Sequence, residues 1–396
     1  MKKKSLLVAL IGSVFLVSCS NEDSVLPENQ DSKIENGLDE TIALVKKFAA
    51  DHPSDQLTKA TDSEMEVLSY EVQTYTFDIT EEIGDIIQTK VDGGISNQVD
   101  IYTVKFQKGD NQGYTIATSD NRLNKVYAYV EKGDLSDTTR LLGLRAFLSY
   151  IPDKCKNDLI DYYKPATKAT PQKAYKVLPV TNLTWDQTFP YNKFAPLCSS
   201  GGDGGHMWAG CTSIAVAQAM AAIKPTALQT AYNLFNLKNS YSYYTTDPTA
   251  DDCARLIYMI NAKLGSSYGC SSTSASLRNI RGALDEWNVK YTYKQDQNVD
   301  ENYLLNCLNY GRPHMTRGER KSPREGHAWL WTGIDCVIDA NSVAPNLRIV
   351  KLNSVYCNWG WGGRSNGWFA SYEQPDSNKQ PFFDNNDQIY ILSSGR

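Results

Sequence analysis

The N-terminal half of the chain alternates apolar and polar residues over short stretches, and this is the period of β-strands. Three stretches carry the alternation, at 72–77, 99–104 and 114–117. Apolar residues at helical spacing precede them at 41–50 and follow them at 141–151. The pattern therefore predicts a small α+β unit that ends near Pro152.

The C-terminal half contains one clear helix and several late strands. Residues 211–223 are rich in alanine and stop before Pro225, so helix propensity and the proline stop predict a helix there. Residues 326–335 form an apolar run that is entered through Gly326, as expected of a buried strand. This half is also rich in glycine, tryptophan, tyrosine and cysteine, and the change of composition marks it as a second unit.

Two stretches show neither the strand period nor the helix period. Residues 20–40 are polar and acidic and predict a flexible tether. Residues 163–171 mix prolines, small residues and two lysines, which predicts an exposed linker where proteolytic cleavage concentrates. Because 396 residues exceed one typical core, we predict one domain at 41–165 and a second at 166–396.

The N-terminus has the pattern of an export signal. Three lysines precede an apolar run at 6–17 that is too short to span a bilayer. The run ends in Leu-Val-Ser-Cys, which resembles the lipobox of bacterial lipoproteins, where cleavage leaves a cysteine that carries acyl chains. We therefore predict a signal peptide at 1–18 and a tether at 19–40 that is anchored to the membrane through lipid on Cys19. Ordinary signal cleavage after Ser18 is the alternative.

Charge and cysteine spacing narrow the classes of partner and cofactor. The formal net charge of −5 and the pI near 5.5 argue against nucleic acid as a partner, because phosphate binding needs a basic face. With Cys19 set aside, the cysteines form no CxxC pair, so no zinc or redox site is expected. In an exported protein some of them are expected to pair as disulfides, with no pairing favoured by the spacing. These cysteines are Cys155, Cys198, Cys211, Cys253, Cys270, Cys307, Cys336 and Cys357.

Cys211 is the first candidate for chemistry. It follows a glycine-rich loop at 201–205 and Gly210, and it opens the predicted helix. At a helix N-terminus the positive end of the dipole favours the thiolate, which is the attacking species in acyl transfer. Taken alone, the same pattern fits a buried structural cysteine better.

Two further residues are candidates for the same site. His327 stands at the start of the apolar run, where a histidine can face a cleft while the strand packs below it; a satisfied core histidine is the alternative. The side chain of Asn358 can accept an imidazole N–H and hold the ring in one tautomer, with the indole of Trp359 shielding that bond from water. A packed hairpin turn explains the same tryptophans and glycines.

Together these segments resemble the streptopain family of papain-like cysteine peptidases. The family's Gly-Cys-x-x-x-Ala-x-Ala-Gln-x-Met helix is matched at 210–220, and its Gly-His-Ala-aromatic strand with Gly-x-Asp is matched at 326–335. Its Asn-Trp-Gly-Trp-Gly-Gly segment is matched at 358–369, and its pro-domain more weakly at 113–122. The resemblance implies an α+β papain-like fold, with a helical part and an antiparallel sheet or barrel part, preceded by a small α+β pro-domain.

The resemblance also implies a role for each site residue. Cys211 would be the nucleophile and His327 the general base and acid, while Asn358 would orient His327 and Trp359 would cover that contact. Gln187 matches the glutamine that completes the family's oxyanion hole with the backbone N–H of the nucleophile. No metal or organic cofactor is required.

By the same resemblance, the chain would be an exported cysteine endopeptidase made as a zymogen, acting on proteins or peptides. Its pro-domain would block the cleft until the chain is cut at 164–171, and could afterwards leave or stay bound as an inhibitor. As a lipoprotein of the outer membrane or cell surface, it would also lose its anchor through that cut. Two other functions remain open: a narrow-specificity amidase or transpeptidase on the same fold, and a non-enzymatic binding lipoprotein. The second would usually have lost one of the four catalytic residues, and all four are present here.

The chain departs from the family pattern at two places. Residues 221–225 lack the aromatic-His ending that is common in the family. Residues 316–325, just before His327, are crowded with charge where the family is usually rich in glycine and serine. Substrate preference is therefore less constrained than the chemistry, and Trp208 and Trp361 are expected either to line the cleft or to serve packing.

Overall fold

The structure, a computed structural model, describes most of the 396 residues. The described residues are 28–54, 64–79, 83, 96–139, 141–164, 171–295, 299–321, 324–370 and 385–394. The predicted signal peptide at 1–18, the lipid site at Cys19 and the middle of the predicted linker at 165–170 lie outside them.

Helices and strands are distributed over the whole described chain. The helices are α1 (Glu28–Asp51), α2 (Leu142–Ser149), α3 (Ile151–Tyr163), α4 (Cys211–Ile223), α5 (Thr226–Gln229), α6 (Thr249–Leu264), α7 (Arg281–Glu286) and α8 (Glu301–Asn309). The strands are β1 (Met65–Thr76), β2 (Gln98–Lys108), β3 (Asn111–Thr118), β4 (Lys125–Val130), β5 (Gln172–Val177), β6 (Lys290–Gln295), β7 (His314–Lys321), β8 (Arg324–Asp339), β9 (Ile349–Asn358), β10 (Gly367–Ala370) and β11 (Asn385–Ser393).

The strands form one antiparallel sheet that runs through both halves of the chain. Their order is β1-β2-β3-β4-β10-β9-β8-β7-β11-β6, and β5 pairs with β8. Strands β1 to β4 lie in the predicted pro-domain and join the others where β4 pairs with β10, with Tyr129 opposite Trp368. The domain boundary near residue 165 stays a prediction, and the sheet is continuous across it.

The N-terminal unit has the predicted α+β character. The alternating stretches at 72–77, 99–104 and 114–117 fall on β1, β2 and β3. The unit does not end near Pro152, because this proline lies in the first turn of α3, which continues to Tyr163. A proline is tolerated there since the backbone N–H groups of a first helical turn need no partner within the helix.

Helix α1 corrects part of the predicted tether. Residues 28–40 are helical rather than flexible, and the helix continues through the predicted 41–50 segment. The buried residues Thr41, Val45 and Ala49 recur every four positions, and this face of α1 packs against β3 and β4. Residues 34–40 have no buried side chain, and this part of α1 is instead held by Tyr102, whose hydroxyl donates to the carbonyl of Ile34 at 3.4 Å, and by Ser119, whose Oγ donates to the carbonyl of Gly37 at 3.0 Å. The polar composition of 20–40 does not reveal these contacts, because their partners lie far away in the sequence.

Two hydrophobic clusters support the region around Cys211 and His327. One surrounds α4 and α6 and includes Trp185 and Ile214. The other is shared by both halves of the chain, with Leu144 of α2 in the same cluster as Trp359. Burying each large apolar side chain contributes on the order of 1.5–3 kcal/mol, so the shared cluster holds the N-terminal unit against the rest of the chain.

Helix α4 begins and ends where the sequence predicts. Gly210 precedes it with φ of 90°, and a Cβ at that position would lie 3.0 Å from the side chain of Thr273, so only glycine fits. Lys224 closes the helix in the left-handed conformation, directly before Pro225. The predicted helix at 211–223 is therefore confirmed. Within the described ranges, no helix has the length and apolar character needed to cross a membrane.

Candidate active site

Cys211 is the first residue of α4 and is half-buried. The N–H groups of a first helical turn have no partner within the helix, so the positive end of α4 faces the thiol. The turn itself is held by Ser213, whose Oγ lies 2.6 Å from the carbonyl oxygen of Ala209 and 2.8 Å from that of Gly210. The nucleophile predicted from the sequence therefore sits at a rigid helix start.

His327 lies on β8, opposite Gly318 of β7, and its side chain is buried. Its Nε2 donates a hydrogen bond to the backbone carbonyl of Trp359 across 3.1 Å. Because a carbonyl can only accept, Nε2 carries the proton and Nδ1 is left for the thiol of Cys211, with which the imidazole is hydrogen-bonded. This is the tautomer that a general base for Cys211 requires.

The environment of Cys211 favours ionisation near neutral pH. Burial raises the pKa of the thiol, but this effect is outweighed by the charge of His327, the hydrogen bond with His327 and the N–H of Ala328. Together they lower the pKa of Cys211 from 9.0 to about 7. A substantial fraction of thiolate is therefore present at neutral pH.

Arg317 is a charged neighbour that motif spacing does not identify. It lies on β7 opposite Ala328, and its guanidinium is 2.9 Å from the carboxylate of Glu319. Its positive charge also helps to lower the pKa of Cys211. The charged stretch at 316–325 contained the signal, but the pairing of β7 with β8 is needed to tell which of its members lies near the thiol.

Asn358 does not bind His327 in the part of the chain that the structure describes. Its Nδ2 donates to the carbonyl of Leu183 at 2.6 Å and to Oε1 of Gln218 at 3.1 Å. Its Oδ1 accepts the N–H of Gly360 at 3.1 Å. The predicted hydrogen bond from His327 to the Asn358 side chain is therefore wrong, because this amide is engaged by a buried partner on α4.

Trp359 contributes its backbone carbonyl as well as its ring. The indole is fully buried and donates from Nε1 to the carbonyl of Ser365 at 2.8 Å. Its ring centroid lies 6.1 Å from that of His327. The ring is thus beside the imidazole as expected, but the hydrogen bond that it was predicted to shield is made by its own carbonyl.

Gln187 presents a buried amide donor close to the nucleophile. Its backbone carbonyl accepts the N–H of Ala209, two residues before Cys211, at 2.9 Å. Its side chain is buried, and Nε2 has no hydrogen-bond partner among the described residues. A buried donor without a partner costs stability, so its persistence points to a ligand that completes the bond. This position suits the predicted oxyanion role.

Trp208, on the loop that leads to the nucleophile, packs against Trp361, which follows β9. The ring centroids of Trp208 and Trp361 are 5.3 Å apart in an edge-on arrangement. The backbone N–H of Trp208 donates to the carbonyl of Gly269 at 3.2 Å, and the hydroxyl of Thr273 donates to the backbone carbonyl of Trp208 at 2.6 Å. Of the two roles expected for this pair, the contacts show the packing role.

Cysteine pairing separates Cys211 from the other thiols. Among the described residues, Cys198 and Cys270 form a disulfide that joins the loop before the nucleophile to the loop after α6. Of the free cysteines that the structure describes, Cys211 is half-buried and the others are buried. Burial raises the pKa of three of these thiols to about 12, namely those of Cys155, Cys307 and Cys336. Such thiols are inert as nucleophiles.

Helix α2 of the N-terminal unit packs directly beside this site. The ring of Phe147 meets that of Trp359 edge-on at 5.8 Å. A Cβ on Gly143 would lie 2.4 Å from the Trp359 ring, so α2 rests on that ring. Arg145 forms an ion pair of 2.7 Å with Glu325, two residues before the histidine on β8. The N-terminal unit therefore contacts the histidine side of the site.

A thiol, an imidazole and an unpaired amide donor at one place are suited to acyl transfer. Within the described ranges, no group of three or more His, Cys, Asp or Glu side chains is arranged to hold a metal ion.

Comparisons with known proteins agree with this chemistry. Residues 185–369 match the sequence model of the Peptidase C10 family. Streptopain of Streptococcus pyogenes serotype M28 (strain MGAS6180) is 24% identical over 332 residues, which cover 72% of this chain and 77% of streptopain. A solved structure of a prointerpain A fragment from Prevotella intermedia has a TM-score of 0.51 at 20% identity, covering 72% of this chain and 94% of that one. The structural likeness confirms the predicted fold, helices with an antiparallel sheet in a papain-like arrangement.

Proposed function

The chain belongs to the peptidase C10 family of streptopain-like cysteine peptidases, and from this premise we propose that it is an endopeptidase that cleaves proteins through a thioester on Cys211. One observation carries the proposal: the thiol at the start of α4 is hydrogen-bonded to a histidine whose other nitrogen is held by a carbonyl. This arrangement supplies a thiolate and a proton donor at the same place.

Acylation starts from the thiolate of Cys211 and the protonated form of His327. The sulfur attacks the carbonyl carbon of the substrate peptide, and the carbonyl oxygen becomes an oxyanion. The N–H of Gln187 Nε2 and the backbone N–H of Cys211 donate hydrogen bonds to this oxyanion. When the C–N bond breaks, its electron pair stays on the leaving nitrogen, which takes the proton from His327. A thioester on Cys211 remains.

Deacylation uses the same groups in the reverse sense. Neutral His327 takes a proton from a water molecule while the water oxygen attacks the thioester carbon. The C–S bond then breaks, the sulfur leaves as a thiolate, and the carboxylic acid product departs. The proton stays on His327, so the thiolate–imidazolium pair is restored.

The segment 41–165 acts in this proposal as an intramolecular inhibitor. Its support is the contact of α2 with Trp359 and Glu325, since a substrate chain that extends past the histidine would compete with α2 for this space. The fold is also shared, over 72% of this chain, with a prointerpain A fragment, whose name marks it as a pro-form. Cleavage at 164–171 would release the inhibitor.

The zymogen is, in the same proposal, an exported lipoprotein of the outer membrane or cell surface. Its support is the sequence alone: three lysines, the apolar run at 6–17 and the Leu-Val-Ser-Cys ending at Cys19. Cleavage of the linker would then also free the catalytic part from the membrane. Incorporation of labelled palmitate into the wild type, and its loss in Cys19→Ser, would support the anchor; equal labelling of both would refute it.

Mapping of cleavage products tests the peptidase itself. Residues 20–396 and the Cys211→Ala variant would be cut in the linker with trypsin and incubated with casein under reducing conditions. Cleavage at many internal bonds by the wild type alone is expected. Transfer of acyl groups to an added amine, without general cleavage, would point to a transpeptidase or amidase. No product and no alkylation of Cys211 by iodoacetamide would point to a binding protein.

A further inference from the structure

Gln218 and Asn358 form a buried pair of amides beneath the proposed site. Asn358 Nδ2 donates to Gln218 Oε1 at 3.1 Å, and Gln218 Nε2 lies 3.5 Å from Asn358 Oδ1. Gln218 is 0% exposed and Asn358 is 3% exposed, so both amides depend on protein partners. Neither takes part in the reaction steps described above.

The pair joins two segments that carry the chemistry. Gln218 lies on α4, about two turns after Cys211. Its Oε1 also accepts the backbone N–H of Trp185 at 3.2 Å, two residues before Gln187. The helix of the nucleophile and the segment of the proposed oxyanion donor are therefore held by the same amide.

Asn358 extends the connection to the peptide that holds the histidine. Its Oδ1 accepts the N–H of Gly360 at 3.1 Å, and this N–H belongs to the same peptide unit as the carbonyl of Trp359. In a planar trans peptide the N–H and the C=O point in opposite directions. The acceptor on the N–H side therefore sets the direction in which the carbonyl meets His327 Nε2, 3.1 Å away. Hydrogen bonds in such a chain also polarise one another, which strengthens the bond to His327.

The turn that contains this peptide packs closely on α4. Gly360 has φ of 72°, and a Cβ there would lie 3.0 Å from Cγ2 of Ile214 and 3.9 Å from Nε2 of Gln218. The peptide cannot tilt toward α4 without displacing these groups. Packing and hydrogen bonding thus restrain the same peptide unit.

We propose that Gln218 and Asn358 are positioning residues for His327 and act on it through the Trp359–Gly360 peptide. The inference rests on the proposed function, since the orientation of His327 matters only if it is the general base. If this carbonyl tilts away, the imidazole is no longer held toward Cys211, and the charge and hydrogen bond that lower the pKa of the thiol weaken.

Matched substitutions of two buried glutamines test the proposal in the chain 20–396. Gln218→Met and Asn358→Leu would be compared with the control Gln388→Met, because Gln388 is also 3% exposed and its amide pairs with His314 at 2.6 Å, outside the site. We expect kcat/KM for a peptide substrate to fall roughly 10- to 100-fold in the first two variants, the effect of one lost hydrogen bond to a charged group. The midpoint of Cys211 alkylation by iodoacetamide against pH should move upward from about 7 in both. The control should change only the melting temperature.

A second variant covers the case in which Gln218→Met fails to fold. Asn358→Asp keeps Oδ1 as an acceptor for the Gly360 N–H, so its alkylation midpoint should stay closer to the wild type than that of Asn358→Leu. Unshifted alkylation midpoints in folded Gln218→Met and Asn358→Leu, or identical midpoints for Asn358→Asp and Asn358→Leu, would overturn the positioning role. A wild type that is alkylated at Cys211 but cleaves no peptide would instead overturn the proposed function, and the alkylation profiles would still decide the positioning.

Discussion

At the residue scale, His327 determines how readily Cys211 ionises. Burial opposes a thiolate, so without a neighbouring positive charge the thiol of Cys211 would stay protonated at neutral pH. His327 supplies that charge because its Nε2–H is fixed on a carbonyl and its other nitrogen faces the thiol. The reactivity of Cys211 therefore depends on this contact, and the positive end of α4 favours the thiolate as well, typically by about 0.3–1 kcal/mol.

Removing the histidine should make Cys211 less acidic. In His327→Ala the effect of burial, which raises the pKa, remains, while the charge and hydrogen bond that lower it are lost. The midpoint of iodoacetamide alkylation against pH should move upward from about 7. His206→Ala is the control, since His206 binds the carbonyl of Ala195 and should leave the midpoint unchanged. A midpoint near 7 in His327→Ala would contradict the assignment.

Gln187→Met should lower the catalytic rate while leaving the stability of the fold nearly unchanged. The loss of an oxyanion donor is expected to lower kcat/KM by ~10²–10³. The melting temperature should fall little, because Nε2 has no protein partner to lose among the described residues. Alkylation of Cys211 should keep its wild-type pH profile. Normal peptidase activity in Gln187→Met would exclude the oxyanion role.

The sequence alone predicts the roles of some of these residues but not the contacts of others. Cys211 and His327 could be identified because each stands at a fixed offset in a distinctive motif. The contact of Asn358 could not, because its motif is compatible with two partners for one amide, and Gln218 lies 140 positions away. Arg317 could not be singled out from the charged stretch at 316–325 either, because its effect on the thiol depends on the register of two strands.

At the element scale, periodicity predicts the inner elements better than the outer ones. The helix at 211–223 and the strand that contains 326–335 were both found from local pattern, since each is long and buried. Helix α1 was missed over residues 28–40 because its composition there is polar and residues 34–40 bury no side chain. The pairing of β4 with β10 joins segments more than 230 residues apart, and no local pattern carries that information.

The contact of α2 with Trp359 gives an element-scale prediction. Gly143→Ala places a methyl group 2.4 Å from the Trp359 ring, and overpacking of this kind typically costs about 1–3 kcal/mol. The intact chain should melt at a lower temperature, and its linker should be cut sooner by trypsin. Gly282→Ala on α7 is the matched control, because no atom lies within 4 Å of the added Cβ and helix propensity alone should stabilise it. Equal stability of the two variants would contradict the docking of α2 on the ring.

At the scale of the whole molecule, the N-terminal unit is held to the rest by a polar contact as well as by the sheet. His52, at the end of the α1 segment, places Nε2 2.6 Å from a carboxylate oxygen of Asp335 on β8 and Nδ1 2.9 Å from the carbonyl of Phe48. Burial raises the pKa of Asp335, but hydrogen bonds from His52 and Asn353 and the nearby positive charges hold it below its usual value. The carboxylate of Asp335 therefore links β8 to the N-terminal unit through His52.

His52→Phe should lower the free energy of unfolding of the intact chain, by an amount that depends on pH. Phenylalanine can keep the stacking on Phe48 but not the bond to Asp335, so urea unfolding at neutral pH should show a loss of about 2 kcal/mol. A carboxyl whose folded-state pKa is depressed stabilises fully above its unfolded value, near 4, and loses this contribution as the pH falls through the folded-state value. The difference between wild type and variant should therefore shrink in acid. Lys46→Ala, at an exposed position of α1, should show neither effect. A difference that grows in acid would contradict the role of Asp335.

The claim that Cys211 is the nucleophile of a peptidase zymogen is tested most directly by intact mass. Residues 20–396 and the Cys211→Ala variant would be incubated under reducing conditions and followed over time. The wild type is expected to lose its N-terminal segment by a cut within 163–181, while the variant stays whole. Trimming of Cys211→Ala at the same bond and rate, or a wild type that stays inactive after its linker is cut with trypsin, would contradict the account.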